Sequence, residues 1–382
     1  MKFKIVIVVV SVLLMTNSCV EKYWPKVDEY NNVLVVDALL TNIKEQTKVS
    51  LSYSSSVNQG RLNPLSNGNV YITDGNQVEF SFIESEPGVY IPEDKSFQGV
   101  EGNSYQLFVE LPGGSNYMSE ICTLLEPVPI DSLFWIKETR EIPNRYLPQN
   151  GIQFYLNNHA NEADTNYYLW RLSNTYEYQS SFDIDYTWEG DFYPYPVPDT
   201  FRTCWRTSQI QEIFTYTTKY LQKPIINKFP LVYVSTDGKE LSIRYSLLVS
   251  QLTLSEAAYY FWDILRQQNI NLSNLYAQQP FQIKGNVKNI NDTEEVVLGY
   301  FTVAGATKKR IFLDRPALPF NYPICEPDYT SMRWIKYEPP STWPIYLTQD
   351  PKTGAIGMGS LESCFDCRLE GGDLEPPDFW ED

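Results

Sequence analysis

The chain has 382 residues, of which 43% are hydrophobic, and this is ample for one or two domains with packed cores. Its formal net charge of -17 argues against nucleic acid or an anionic lipid surface as a partner, because phosphate binding requires a concentrated basic surface. The 25 prolines, 28 tyrosines and 9 tryptophans, with few amphipathic helical patterns, favour a mainly β fold.

The N-terminus has the pattern of a bacterial secretory signal. Two early lysines precede an apolar run that is too short to span a bilayer. The run leads into Thr16-Asn17-Ser18-Cys19, which resembles a lipobox, although Thr16 stands where leucine is usual. We predict a signal peptide over residues 1–18, acylation of Cys19, and a lipidated tether over residues 19–32. The alternative is an ordinary secreted protein that is cleaved nearby.

Short strand patterns follow along residues 33–125. Asp74-Gly75 and Gly113-Gly114 lie between neighbouring strands and supply the positive φ that tight hairpins require. About seven strands at this spacing predict a β-sandwich of the immunoglobulin-like or transthyretin-like kind. Two closely spaced prolines then indicate a stiff linker over residues 126–130.

A second β-sandwich domain is predicted over residues 131–314. Strand patterns resume after the linker, and a hairpin is expected to turn at Asp237-Gly238, between Leu231–Ser235 and Glu240–Val249. The proline density of Ser180–Lys223 disfavours regular strand pairing, so we predict a long loop insertion there.

The loop insertion carries aromatic side chains that are candidates for contact with a ligand or partner. Rigid amphipathic rings on a loop make good contact surfaces for a glycan, a peptide or a protein. The alternative is that the loop folds back and its rings cover the sheet. Acidic residues in the same segment lack the spacing of a calcium-binding loop. The candidate contact residues are Tyr186, Trp188, Phe192, Tyr193 and Tyr195.

The least ambiguous element is an amphipathic helix over residues 253–268. A capping-box pattern of Thr253 with Glu256 marks its start. We expect this helix to pack on a three-stranded antiparallel meander with turns at Asn291-Asp292 and Gly305. Apolar side chains recur at helical spacing at Ala258, Phe261, Trp262 and Leu265. The three predicted strands are Phe281–Val287, Val296–Ala304 and Arg310–Leu313.

A resemblance to a known family appears in the same segment. The motifs that carry it are Tyr260-Phe261-Trp262, Gly285-Asn286, Leu298-Gly299-Tyr300-Phe301 and Arg310-Ile311-Phe312. They resemble the core of a Bacteroidota outer-membrane lipoprotein family catalogued as domain of unknown function 4249. The resemblance implies no established activity. Genes of the family often lie beside TonB-dependent outer-membrane receptors, so it implies such a receptor as a partner.

The tail over residues 315–382 is rich in proline and carries half of the six cysteines. Its last motif, Phe379-Trp380, also resembles the end of the family. Two bulky aromatic rings near a terminus would expose apolar surface and favour aggregation unless they pack on the protein. We therefore expect both to pack on the second domain.

The cysteines predict a disulfide-stabilised tail. With Cys19 assigned to lipid, an oxidising periplasm favours two disulfides among four cysteines and leaves Cys122 as a buried strand thiol. Three connectivities are open. Zinc binding is an alternative, with Cys364-Phe365-Asp366-Cys367 as one half-site, and a redox-active pair is another. The four disulfide candidates are Cys204, Cys325, Cys364 and Cys367.

The residues available for catalysis are few. His159 is the only histidine and lies in a polar turn pattern, and no Gly-x-Ser-x-Gly elbow occurs. No phosphate-binding glycine loop or dinucleotide fingerprint occurs, so no cofactor and no metal are expected. Among 47 acidic residues, a catalytic carboxylate pair remains open.

Together these patterns favour a non-catalytic binding or accessory lipoprotein of the outer membrane. It would work with a TonB-dependent receptor in the capture or uptake of an unknown ligand, because its acyl chains raise its effective concentration beside that receptor. One alternative is a surface hydrolase that acts on glycans or peptides through carboxylates. Another is a structural or adhesive module of the envelope. The periplasmic and cell-surface faces of the membrane both remain open.

Overall fold

A computed structural model describes residues 33–54, 63–160, 166–271 and 283–380. The predicted signal peptide, Cys19 and the tether lie outside these residues. The described chain is mainly β, which confirms the predicted fold class. In these ranges, no helix has the length and apolar character needed to cross a membrane.

The secondary structure consists mostly of strands. Numbered in chain order, they are β1 (Leu34–Thr41), β2 (Lys48–Tyr53), β3 (Asn63–Pro64), β4 (Asn69–Asp74), β5 (Glu79–Glu86), β6 (Val89–Pro92), β7 (Ser104–Glu110), β8 (Asn116–Ser119), β9 (Cys122–Thr123), β10 (Ser132–Arg140), β11 (Gln149–His159), β12 (Tyr167–Gln179), β13 (Tyr186–Trp188), β14 (Phe192–Pro194), β15 (Thr203–Thr217), β16 (Ile225–Ser235), β17 (Arg244–Leu254), β18 (Val287–Asn289), β19 (Val297–Asp314), β20 (Ile345–Gln349) and β21 (Ile356–Met358). The α-helix is α1 (Glu256–Asn271). Short 3-10 helices occupy Ser331–Arg333, Ile335–Tyr337, Pro340–Thr342, Glu362–Cys364 and Cys367–Glu370.

One sheet of 14 strands connects the two predicted domains. Its neighbours run in the order β15-β12-β17-β19-β1-β2-β6-β5-β4-β7-β8-β18, with β3 paired to β2 and β9 paired to β7. Strand β19 joins the two halves of this sheet. Its first half pairs in parallel with β1, and its second half pairs antiparallel with β17. The two predicted domains therefore share a continuous hydrogen-bonded sheet.

The N-terminal half of the sheet encloses the first hydrophobic core. The predicted hairpins at Asp74-Gly75 and Gly113-Gly114 are present, because β4 pairs with β5 and β7 pairs with β8. This core also includes Val287, Val297 and Phe301. The sequence assigns those residues to the second domain, but β18 pairs with β8 and β19 pairs with β1, so they complete the first core.

The second core lies between a three-stranded sheet and the other half of the large sheet. The order of the small sheet is β10-β11-β16, and its Phe154 ring packs 5.5 Å from Tyr245 of β17. The predicted hairpin at Asp237-Gly238 is wrong, since β16 pairs with β11 while β17 pairs with β12 and β19. The alternating pattern identified both strands, but it carries no information about their partners.

Helix α1 packs on the outer face of the large sheet, as predicted. Ala258 and Phe261 are buried against Leu252 and Tyr300. The predicted capping box is wrong, because Thr253 lies inside β17. The cap is Ser255, whose Oγ accepts a hydrogen bond of 3.3 Å from the backbone nitrogen of Ala258.

The predicted meander after the helix is also wrong. Strand β18 covers only Val287–Asn289, and β19 runs without a turn from Val297 to Asp314. The glycine expected to turn the chain, Gly305, pairs with Thr253 in the ladder. A Cβ there would overlap the backbone oxygen of Leu125, so the glycine permits a close approach between segments.

The predicted loop insertion over Ser180–Lys223 contains more regular structure than expected. It includes the hairpin of β13 and β14 and the whole of the 15-residue strand β15. Pro194 is accommodated in β14 because this strand lies at the edge of the four-stranded sheet β14-β13-β20-β21. The tail supplies β20 and β21, so the insertion and the tail form one small sheet.

The end of the tail is docked on β19. The indole of Trp380 lies 5.5 Å from the ring of Phe312 in an edge-on arrangement, and Trp380 is buried. The guanidinium of Arg310 lies 3.5 Å from the ring centroid of Phe379. These aromatic and cation–π contacts hold the terminus against the second half of the large sheet.

Candidate functional site

An open cleft of about 590 Å³ lies on the outer face of the large sheet, among the residues that the structure describes. Its floor comes from β12, β17 and β19, and its walls come from β15 on one side and from β1, β2 and their connecting loop on the other. Helix α1 closes one end with Trp262. Cavities of this size suit small molecules or short polymer segments.

A row of polar side chains crosses the floor of the cleft. Arg171 of β12 stands opposite Ser250 of β17, and Ser250 stands opposite Lys308 of β19. Residues directly opposite one another in antiparallel strands share a face of the sheet. The ladder therefore places an arginine, a serine and a lysine side by side.

A bulge in β15 lies beside Arg171. Trp170 pairs with Phe214 and Leu172 pairs with Ile210, so three residues of β15 lie opposite the single residue Arg171. The middle one is Glu212, and the charge that acts on its carboxyl is that of Arg140 of β10, in the small sheet that packs against the other face of β12. The Glu212 carboxylate therefore does not continue the polar row of the cleft floor.

The opposite wall is fixed to the floor by hydrogen bonds. The loop between β1 and β2 lies over β17, because Nε2 of Gln46 donates a 2.8 Å hydrogen bond to Oγ of Ser250. Oδ1 of Asn42 accepts a 2.6 Å hydrogen bond from the backbone nitrogen of Ala306. The loop presents Glu45, at a φ of 64°, and leads into Lys48. The wall is therefore held in place before any ligand arrives.

Arg171 is held at the centre of the cleft but keeps most of its donors. Its guanidinium lies 3.7 Å from Oδ1 of Asp37, which is longer than a hydrogen bond, and 5.2 Å from the ring centroid of Trp262. The indole nitrogen of Trp262 donates a 3.1 Å hydrogen bond to Thr302 and is thereby oriented. Among the described residues, the guanidinium makes no hydrogen bond that would compete with a ligand for its five donors.

One charged group of the row, Lys308, is destabilised in its ionised form. Desolvation lowers the pKa of the Lys308 ammonium, although the negative charge of Glu45 opposes this shift. Perturbed titratable groups in a cleft are typical of functional sites.

The aromatic residues predicted from the sequence lie elsewhere, in the small sheet. Trp188 is buried in a cluster with Ile335 and Leu347, so this ring builds the sheet core. The ring of Phe192 lies 5.0 Å from Trp188, and Phe192 and Tyr193 are 40% and 52% exposed. Tyr186 and Tyr195 are half-buried. Only Phe192 and Tyr193 of the five present substantial surface to a partner.

The four predicted cysteines form two disulfides, one within the tail and one that joins the tail to β15. Cys204 pairs with Cys367 and Cys325 pairs with Cys364, which selects one of the three connectivities and leaves none of these thiolates for zinc. Cys122 is a half-buried free thiol in β9. Burial raises the pKa of the Cys122 thiol to about 11, so it is protonated at neutral pH.

His159 ends strand β11 and is exposed. Its Nδ1 lies 2.6 Å from Oδ2 of Asp131, and its side chain is 69% exposed. Within the described residues, no hydrogen bond joins a serine or cysteine nucleophile to the imidazole. In the same ranges, no three His, Cys, Asp or Glu side chains are grouped closely enough to hold a metal ion.

Comparison of the sequence with protein families now identifies the chain. Residues 20–310 match a family described as domain of unknown function, DUF4249. The chain belongs to this family. Among curated proteins, none matches the chain. The DUF4249 match covers the N-terminal core, most of the second core, α1 and most of β19, and it ends before the disulfide-linked tail.

The motifs that carry the DUF4249 resemblance have a structural role in the first half of β19. Gly299 has a φ of 91°, and a Cβ on it would overlap the backbone oxygen of Val36. A Cβ on Gly285 would in turn overlap the backbone oxygen of Gly299. The buried Asn286 pairs with the backbone of Phe301, donating at 3.0 Å and accepting at 2.8 Å. Gly285 and Gly299 therefore let the backbone of β19 pack closely between β1 and the segment around residue 285.

The sequence pattern does not indicate the cleft residues, because they come from separated elements: β1, β2 and their connecting loop, β12, β15, β17, β19 and α1. The one local indication is Arg171, a charged residue inside the otherwise apolar run Tyr167–Leu172. Such a residue in an apolar strand is unusual and indicates a special environment. Its neighbours Ser250 and Lys308 become apparent only from the strand register.

Proposed function

We propose that the protein is a non-catalytic binding or accessory lipoprotein of the outer membrane, and that it works with a TonB-dependent receptor in ligand capture or uptake. The observation that carries this proposal is the open cleft, whose charged side chains are positioned by a hydrogen-bonded sheet and a tethered loop. Concave sites with a few fixed polar groups are typical of ligand binding.

Membrane attachment in this proposal depends on Cys19. The lipobox-like Thr16-Asn17-Ser18-Cys19 supports it, and the DUF4249 match begins at residue 20, directly after the cysteine. Two or three acyl chains on one residue anchor a protein firmly. The protein is then confined to the membrane plane, where a receptor in the same membrane meets it at a high effective concentration.

The receptor contact is assigned to the exposed rings of the small sheet. Phe192 and Tyr193 lie on an edge strand, away from the cleft floor, and aromatic rings supply much of the binding energy in protein interfaces. The ligand in the cleft and the receptor at the hairpin would thus occupy different surfaces. A captured ligand could be held while the receptor is engaged.

Co-purification from detergent-solubilised membranes tests the proposed partnership. We expect the tagged wild-type protein to recover a TonB-dependent receptor, and a Cys19→Ser variant to recover several times less, because it is not held in the membrane plane. A variant with Phe192→Ser and Tyr193→Ser should also lose the receptor while it keeps its anchor. Recovery of wild-type protein without any outer-membrane receptor would contradict the proposal.

A further inference from the structure

The charged side chains of the cleft are matched within the protein. Arg171 lies 3.7 Å from the carboxylate of Asp37, and the negative charge of Glu45 acts on Lys308. Lys48, a further cation of the lining, is exposed. An ionic ligand would have to compete with these charges, and the protein's net charge of -17 disfavours polyanions further. The cleft therefore favours a polar ligand without charge.

Hydrogen-bond donors and acceptors lie side by side in the cleft. The guanidinium of Arg171 can only donate and the carboxylate of Asp37 can only accept, so this pair offers one of each at 3.7 Å. Ser250 accepts a hydrogen bond from Gln46 and, within the described chain, donates to no acceptor. Gln209, opposite Ser173 on the face that carries Arg171, adds an amide that can do both. Hydroxyl groups, which also donate and accept, suit such a surface.

The floor of the cleft offers side chains and no free backbone edge. The backbone groups of β12, β17 and β19 are paired with one another in the ladder, so a peptide cannot add to this face as a further strand. A carbohydrate does not need backbone pairing. Its hydroxyl groups project from neighbouring carbons, so one can donate to Asp37 while the next accepts from Arg171.

An aromatic ring face is turned toward the closed end of the cleft. The guanidinium of Arg171 lies over the face of the Trp262 indole, 5.2 Å from its centroid, and both side chains line the cleft. The ring is held from behind by Phe261, at an interplanar angle of 89°, and by its hydrogen bond to Thr302. The C–H groups of a sugar ring pack on an aromatic face while its hydroxyl groups reach polar neighbours.

We propose that this cleft binds a short neutral oligosaccharide, with one sugar ring against Trp262 and two neighbouring hydroxyl groups shared between Arg171 and Asp37. Further rings lie along the floor over Ser250. This inference rests on the proposed function as a binding protein and names the class of its ligand. It does not depend on which receptor is engaged.

Isothermal titration calorimetry of the full-length mature protein tests the ligand class, in a detergent without a sugar headgroup. The neutral probes are maltotetraose, cellotetraose, xylotetraose and mannotetraose, and the comparison probes are tetragalacturonate and tetraalanine. We expect a neutral sugar to bind most tightly, with an affinity that changes less than about twofold between about 50 mM and about 500 mM salt. Tighter binding of a comparison probe, or no binding of any of the four neutral sugars, would overturn the proposal.

Two substitutions of similar size test the paired donor and acceptor. Asp37→Asn and Arg171→Gln should each weaken binding of the neutral sugar about tenfold, because each removes a charge-assisted hydrogen bond. The controls Asp199→Asn and Arg333→Gln make the same changes at exposed sites outside the cleft and should bind as the wild type does. Chemical denaturation shows whether each variant keeps its fold. Wild-type affinity in folded Asp37→Asn and Arg171→Gln variants would overturn the proposal.

The titration contains no receptor, so its outcome is independent of the proposed partnership. Sugar binding that is lost in the cleft variants, without receptor co-purification from membranes, would support the sugar site and refute the partnership. Receptor co-purification without binding of any neutral sugar would support the partnership and refute the sugar site.

Discussion

Replacing Gly299 with alanine should destabilise the fold by about 3 kcal/mol or more, because two costs add at this position. The residue has a φ of 91°, which an L side chain rarely adopts, and its new Cβ would overlap the backbone oxygen of Val36. Backbone atoms of a paired strand cannot move aside as a flexible side chain can. Chemical denaturation of both proteins, followed by tryptophan fluorescence, measures the difference.

Gly102→Ala is the matched control for this substitution. Gly102 also has a positive φ, 77°, but nothing lies within 4 Å of the position of a Cβ. Only the conformational cost applies there, and we expect a loss of about 1 kcal/mol. If the two substitutions cost the same free energy, the close crossing of β1 and β19 would not be the reason for the glycine in the DUF4249 motif.

Removal of the Cys204–Cys367 disulfide should have a comparably large effect. The two half-cystines are 163 residues apart, and chain entropy alone gives a stabilisation of about 5 kcal/mol for such a loop. Both sulfurs are buried between β15 and the tail, where the hydroxyl of Tyr178 donates a 2.6 Å hydrogen bond to the backbone oxygen of Cys367. A Cys204→Ala, Cys367→Ala double variant should unfold about 2–5 kcal/mol more easily.

The second disulfide provides the comparison for this prediction. Cys325 and Cys364 are 39 residues apart, and the same estimate gives about 4 kcal/mol. Removal of the Cys325–Cys364 disulfide should destabilise mainly the small sheet. Removal of the Cys204–Cys367 disulfide should also release the chain end beyond residue 367. Limited proteolysis distinguishes them. Tail cleavage that is faster in the Cys325→Ala, Cys364→Ala variant would contradict the assignment of Cys204–Cys367 as the main attachment.

Local features of the fold were predictable because local residues determine them. The helix periodicity and the dipeptides Asp74-Gly75 and Gly113-Gly114 led to the correct elements. Strand partners were not predictable in the same way. Alternation in β16 and β17 indicates that each strand has an inner face, but their assignment to separate sheets depends on packing of the whole chain.

Glycines in β19 serve a purpose that the sequence pattern does not identify. The pattern predicts a turn at Gly305, whereas in the structure its missing side chain lets the backbone at Leu125 approach β19 closely. Both uses of glycine rest on its missing side chain, and the sequence does not distinguish them. The same limit hid the cleft, since its floor requires β19 to continue past Gly305 to Lys308.

The aromatic residues of the insertion form a visible sequence pattern because they are clustered within a few positions. The cleft residues Arg171, Ser250 and Lys308 are scattered over three strands and have ordinary neighbours. Only the ladder register brings them into one row. In a fold built from long-range strand pairs, the residues of such a site are brought together by strand pairing and not by closeness in sequence.

Amide hydrogen exchange of the anchored protein, measured alone and in the complex with the receptor that co-purifies with it, tests the proposed partnership most directly. The account predicts slower exchange in the complex at the aromatic hairpin over residues 186–195, with no change in the cleft loop at residues 42–48. Slower exchange at the cleft loop alone, or no change anywhere, would contradict it.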